Sequence, residues 1–262
     1  MCVIAWAIAF LWACDREVED GQELRKTSAS GSVLVDPLDS GYVGSANCVE
    51  CHAEEFGKWH GSHHFHAMEL PSPATVRADF NASTYERYGV TSRFFRKGNK
   101  YLVETENEKG AMEVFEVKYT FGWEPLQQYL VAFPDGRLQV LPTCWDIEKG
   151  EWYHIYPDEH IKPDDPLFWT RSMQNWDHMC ADCHSTNLKK RFDPATRTFA
   201  TTFKEMNVSC EACHGPGKKH VEMARKGVPW DNASHYGLVD LNSTNVVQVE
   251  ACAKCHARRG AV

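Results

Sequence analysis

At 262 residues the chain can form one large domain or two small ones. Its 24% charged and 43% hydrophobic residues are ordinary for a soluble globular protein, and its formal charge of −8 argues against nucleic acid or anionic lipid as a partner. Eleven cysteines are the one unusual entry in the composition.

Residues Cys2 to Cys14 are almost wholly apolar and too few to cross a bilayer as a helix, so residues 1–14 read as a secretory signal. The end of that run, Leu11-Trp12-Ala13-Cys14, resembles a bacterial lipobox, whose cysteine carries lipid in the mature protein. Trp12 fits that pattern poorly, and the alternative is an unmodified Cys14 inside a signal cleaved elsewhere. The expectation is an exported protein, periplasmic or at the cell surface, anchored through a lipidated Cys14. Residues 15–40, rich in Glu, Ser and Gly, are expected to form a flexible tether.

The first Cys-x-x-Cys-His motif, Cys48/Cys51/His52, lies in the segment 41–90. Three more, Cys180/Cys183/His184, Cys210/Cys213/His214 and Cys252/Cys255/His256, crowd into residues 161–262. Two thiols three residues apart reach the two vinyl groups of one porphyrin as thioethers, and the adjacent histidine then falls beneath the iron. Four copies predict four covalent haem c groups, with His52, His184, His214 and His256 as proximal ligands. Cys180/Cys183 with Cys210/Cys213 have a tolerable spacing for a four-cysteine zinc site, but zinc needs no histidine after every pair. A thioredoxin-like dithiol expects one motif in a βαβ unit, and the histidines argue equally against structural disulfides.

Residues 91–160 carry no motif. Tyr101-Leu102-Val103 reads as a strand, and Phe115, Val117, Tyr119 and Phe121 alternate with polar residues as if sharing one face of another. Tyr129-Leu130-Val131, a Pro134-Asp135-Gly136 turn and Leu138 to Leu141 read as a hairpin, with a last strand over Trp152 to Tyr156. The fold class expected is therefore α+β: short helices and loops around four haems, with a small antiparallel sheet inserted after the first site. Phe56, Trp59, Trp169, Trp176 and Trp230 are equally suited to haem packing and to ordinary core. Cys144 reads as a buried small hydrophobe.

The stretch from Gly41 through Cys48-Val49-Glu50-Cys51-His52 to Trp59-His60-Gly61-Ser62-His63-His64-Phe65-His66-Ala67-Met68 resembles a known family. It is similar to the tetrahaem cytochrome c domain typified by the electron acceptor of hydroxylamine oxidoreductase. Phe121-Gly122-Trp123-Glu124-Pro125-Leu126, Tyr156-Pro157-Asp158-Glu159 and Cys210-Glu211-Ala212-Cys213-His214-Gly215-Pro216-Gly217 look like its members that carry tetratricopeptide repeats. In those members the chain continues past the region matching Cys252 to Arg259 into such repeats. The resemblance implies distal iron ligands at His64, His220 and His154. A Gly-Pro-Gly turn after His214 would also fold the chain sharply enough for His220 to reach a neighbouring haem. The fourth distal ligand stays open among His178, His63, His66, His160 and His235, with Met68, Met179 and Met223 as thioether alternatives.

Two functions follow. Irons closed by two histidines make an electron carrier between redox protein partners, with association into homo-oligomers or haem-to-haem stacking left open. One iron with a free position would instead make an oxidoreductase acting on a small nitrogen or sulfur compound. No motif carries the lysine variant of the pentahaem nitrite reductases, which favours the carrier.

Overall fold

The computed structural model describes residues 41–257, so the expected signal, tether and lipidated Cys14 lie outside the described residues. Nine strands form one antiparallel sheet among them: β1 (Met68–Glu69), β2 (Ser83–Arg87), β3 (Val90–Lys97), β4 (Lys100–Glu106), β5 (Met112–Phe121), β6 (Leu126–Ala132), β7 (Leu138–Val140), β8 (Thr143–Asp146) and β9 (Glu151–His154). Their order is β2-β3-β4-β5-β6-β8-β9, with β1 added to β5 and β7 to β6. The sheet is thus larger than the small insert that the alternating pattern suggested. Strands β2 and β3 escape that pattern because they bear Arg87, Arg93, Arg96 and Lys97 at exposed or half-exposed positions. Tight turns define them instead: Tyr88 and Gly89, both at positive φ, join β2 to β3, as a two-residue hairpin of the primed type requires.

The helices are short, as expected around covalent cofactors: α1 (Ala53–His60), α2 (Trp176–Met179), α3 (Ala181–His184), α4 (Cys210–His214), α5 (Lys218–Arg225) and α6 (Asn245–His256).

Both sheet faces are covered. On one, Phe80 meets Phe94, Tyr101, Tyr129 and Trp152 edge-on at 5.1–5.8 Å, and Phe94 stacks on Trp152. Val117, Val131, Phe168 and Trp169 complete that core. On the other, Met68, Leu130 and Val140 pack against Trp176, Ala181 and Phe203, which belong to the motif-bearing part of the chain. The central strand β6 therefore alternates inward on both sides: Tyr129 and Val131 one way, Leu130 the other.

A bulge between Val117 and Tyr119 corrects the expectation that Phe115, Val117, Tyr119 and Phe121 share a face. Val117 pairs with Val131 but Tyr119 with Leu130, so the extra residue turns the strand over. Phe115 and Val117 join the first core, Tyr119 and Phe121 the second. The bulge delivers Phe121 to the ring of His184 at 4.4 Å.

The expected hairpin forms, with Leu130 opposite Val140. Its turn residue Gly136 sits at φ +85, where a Cβ would lie 2.2 Å from the Phe199 carbonyl oxygen. The Phe199 amide in turn donates to the Asp135 carbonyl, which ties the hairpin to the loop before the third motif. Gly136→Ala is expected to lower the unfolding free energy by more than about 1 kcal/mol, combining strain with displaced backbone; urea titration of the purified protein checks it.

Candidate haem-binding sites

All four motifs lie on helical turns or next to them. The Cys51 and His52 amides donate to the Cys48 carbonyl just ahead of α1; the second motif ends α3, the third forms α4, and the fourth ends α6. Helical spacing puts the first cysteine, the second cysteine and the histidine on one face, so the three could together hold one haem.

The motifs converge: the first meets the third, the second meets the fourth, and Cys213 of the third also neighbours Cys252 and Cys255 of the fourth. The Cys48 thiol hydrogen-bonds to Cys210, which together with burial pushes it well above the usual thiol range. Cys255 is pushed up to about 11 by burial and by its hydrogen bond to Cys183. The first attachment site therefore abuts the third, and the second abuts the fourth. Among the described residues no three cysteine, histidine or acid side chains converge as a site for a zinc ion.

Two motif histidines come close to histidines from other parts of the chain. The rings of His52 and His220 face each other at 6.1 Å between centroids, and those of His64 and His256 at 6.2 Å. An iron bonded to two imidazoles at about 2 Å each holds the ring centres roughly 6 Å apart, so both spacings fit one interposed iron. Partial burial, then the neighbouring His256 and His63, hold His64 below the ordinary histidine value. Burial and His52 do the same for His220. Both effects favour the neutral imidazole, the form that binds metal. The Nδ1 atom of His214 lies 3.1 Å from the Val239 carbonyl oxygen, an arrangement that fixes the tautomer and frees Nε2 for an iron.

A cavity of about 620 Å³ joins the first and third sites. Cys48, His52, Cys210, Cys213, His214 and His220 line it, with Phe56, Trp59 and Trp230 as apolar walls. Of the aromatics singled out in the sequence, Trp169 and Trp176 sit in the two sheet cores instead.

The structure does not bring His154 to this cavity. It ends β9, its Nδ1 accepts the Tyr156 amide at 3.0 Å, and it lines a second cleft that contains no motif residue. Among the other candidates, His66 pairs with Glu69 at 2.9 Å and stacks on Trp123, His160 stacks on Tyr88, and Met68 is fully buried in the second core. His235 lines the large cavity with its Nε2 2.6 Å from the Asn232 carbonyl oxygen. Cys144 is fully buried.

Two carboxylates that sequence reasoning passed over hold the site together. Glu211, between the cysteines of the third motif and 3% exposed, accepts from the amides of Val43, Gly44 and Gly217 at 2.7–3.1 Å. Glu205 accepts from the amide and hydroxyl of Ser45. Gly44, at φ +87, turns these successive amides toward the two acids. The Gly-x-x-Gly spacing ahead of Cys48 is the only trace of this in the sequence.

The family model described as cytochrome c554 and c-prime matches residues 47–92 and 160–215. These stretches hold the first three motifs and together make up less than half of the chain. Among solved structures, the crystal structure of the outer cell wall cytochrome OcwA is similar at TM-score 0.50 and 20% identity over 82% of this chain. The undecahaem cytochrome from the S-layer of Carboxydothermus ferrireducens is similar at TM-score 0.49 and 19% identity over 86%. The chain spans 37% and 27% of the length of these two proteins. No curated protein sequence matches. The family match falls on the first three motifs, and the likeness to OcwA is one of fold. No helix among the described residues is long and apolar enough to cross a membrane.

Glu211→Ala would strand several buried amides and is expected to cost at least about 3 kcal/mol of stability, read from denaturant unfolding. A second test concerns pH. Burial and the charge of Arg87 lower His154 from 6.5 to about 4, so below pH 6.5 the unfolded chain takes up the proton first. Stability from this group is complete above pH 6.5 and is lost as pH falls toward 4. Between pH 7 and pH 5 the loss should be about 1 kcal/mol after allowance for solvent screening, and His154→Gln should remove that part of the slope.

Proposed function

We propose that the chain carries four covalent haems and passes electrons through them between redox protein partners outside the cytoplasm. The single observation that carries this reading is the pair of facing histidines, His52 with His220 and His64 with His256, each at the separation of a doubly ligated iron. Bound haem supplies the one-electron couple at its iron. The polypeptide's share is to close the first and fourth irons with a second histidine and to keep the porphyrins near one another.

On this assignment His52 and His220 ligate the first iron, and His256 and His64 the fourth. His184 and His214 are the proximal ligands of the second and third. His154 is left out because a backbone amide occupies its Nδ1 and its cleft holds no motif residue. The adjoining sulfurs of Cys48 with Cys210 and Cys183 with Cys255 support two closely spaced haem pairs, one-three and two-four. Close spacing suits electron transfer because tunnelling falls steeply with distance. An acidic chain of formal charge −8 suits docking onto basic surfaces of its partners. The apolar N-terminal run, together with likeness of fold to an outer cell wall cytochrome, supports export.

Pyridine haemochrome analysis should give four haems per chain. In electron paramagnetic resonance, His64→Ala and His220→Ala should each convert one low-spin haem to high-spin, and the double variant two. Unchanged spectra would remove the ligand assignment. A high-spin signal in the unmodified protein that shifts with nitrite or carbon monoxide would replace the carrier by an oxidoreductase acting on a small nitrogen compound.

A further inference from the structure

The second cleft, about 310 Å³, shares no lining residue with the haem cavity and needs its own account. It lies over β2, β3, β4 and β9 beneath the loop that runs from Tyr156 to Trp169. Its size is at the lower end of small-molecule sites, and its lining is mostly aromatic and aliphatic with a few convergent donors.

Those donors are only partly matched by acceptors. Arg87 donates through Nη2 to the carbonyls of Tyr156 and Glu159, while its Nε is buried with no partner. No carboxylate pairs with Arg87 or with Lys162 among the described ion pairs. Because Nδ1 of His154 accepts the Tyr156 amide, the neutral ring carries its hydrogen on Nε2, as a further donor. Against these stands one acid in the lining, Glu106, whose Oε1 lies 3.8 Å from the Cβ position of Gly110. Arg87 and the exposed Lys162 against the single acid Glu106 leave the cleft cationic on a chain of formal charge −8, which suits an anion. A buried guanidinium N–H without an acceptor calls for an oxygen. The rings of Tyr85, Tyr156 and Trp169 offer a planar body its walls.

We propose that this cleft binds a small aryl carboxylate, its carboxylate met by Arg87, Lys162 and His154 and its ring by the tyrosines and Trp169. The site stands apart from the haem assignment and does not depend on it.

Calorimetric titration of the purified haem-loaded protein at pH 7 with benzoate, and separately with benzamide as its neutral counterpart, tests the proposal. Saturable benzoate binding at one site per chain is expected, with benzamide at least tenfold weaker. Lys162→Met, a change at an exposed position that leaves the fold intact, should weaken benzoate at least fivefold, as should His154→Phe. No saturable benzoate binding, equal binding of the two compounds, or an unaltered affinity in Lys162→Met would each overturn it. Displacement of benzoate by inorganic phosphate at equal concentration would overturn the aryl class, leaving a generic anion site.

Discussion

A buried carboxylate with no counter-ion among the described residues is the constraint on which the motif-bearing region turns. Glu211 has 3% of its surface exposed, and its charge is met by main-chain amides drawn from segments more than 160 residues apart in sequence. Hydrogen bonds to a charged acceptor contribute about 1.5–3 kcal/mol each, enough to offset the desolvation of one acid. Because Glu211 lies inside the third motif and Val43-Gly44 directly precede the first, this network fixes one attachment site against the other. Glu205 repeats the arrangement one residue further on, at Ser45. The meeting of Cys48 with Cys210 follows from where these acids pull the chain.

The sheet serves the same end from the opposite side. A sheet with one solvated face would leave the motif-bearing segment with nothing to pack on. Here the bulge in β5 turns Tyr119 and Phe121 toward that segment, and Trp176 and Phe203 close over them. Gln139, in β7, donates to the carbonyls of Trp169 and Arg171, and Asp177 accepts from the Leu138 amide, so the chain entering the second motif is hydrogen-bonded to the sheet. Function and scaffold share one wall.

Much of this was legible in the sequence, for physical reasons that differ by element. The motifs were plain because covalent attachment imposes a fixed spacing and residue type. Strands β4 to β7 and β9 were plain because short aromatic and β-branched runs, some alternating with polar residues, are punctuated by turn residues. The early hairpin of β2 and β3 was hidden by its charged residues, Arg87 turned into a cleft and Arg93, Arg96 and Lys97 exposed. The bulge was invisible because alternation continues through it in the letters, though not in space. Among the histidines, His64 and His220 come to face motif histidines, but His154 ends in a separate cleft, since its neighbours on β9 serve the aromatic core. Glu211 was unreadable because any residue is tolerated between the cysteines of such a motif; only its distant amide partners give it a role.

The crossing of the histidines bears on how the protein matures. With ligands arranged as proposed, the imidazole that seals the last site is supplied from beside the first, and the one that seals the first comes from beside the third. Neither of these two sites can be finished by its own stretch of chain. A protein threaded through a membrane from its N-terminus would receive its first porphyrin early and keep that iron half-bound until α5 emerges. His64 would wait for almost the whole polypeptide before meeting His256. Assembly is then ordered by translocation, and each closing bond certifies that a later segment has arrived and folded.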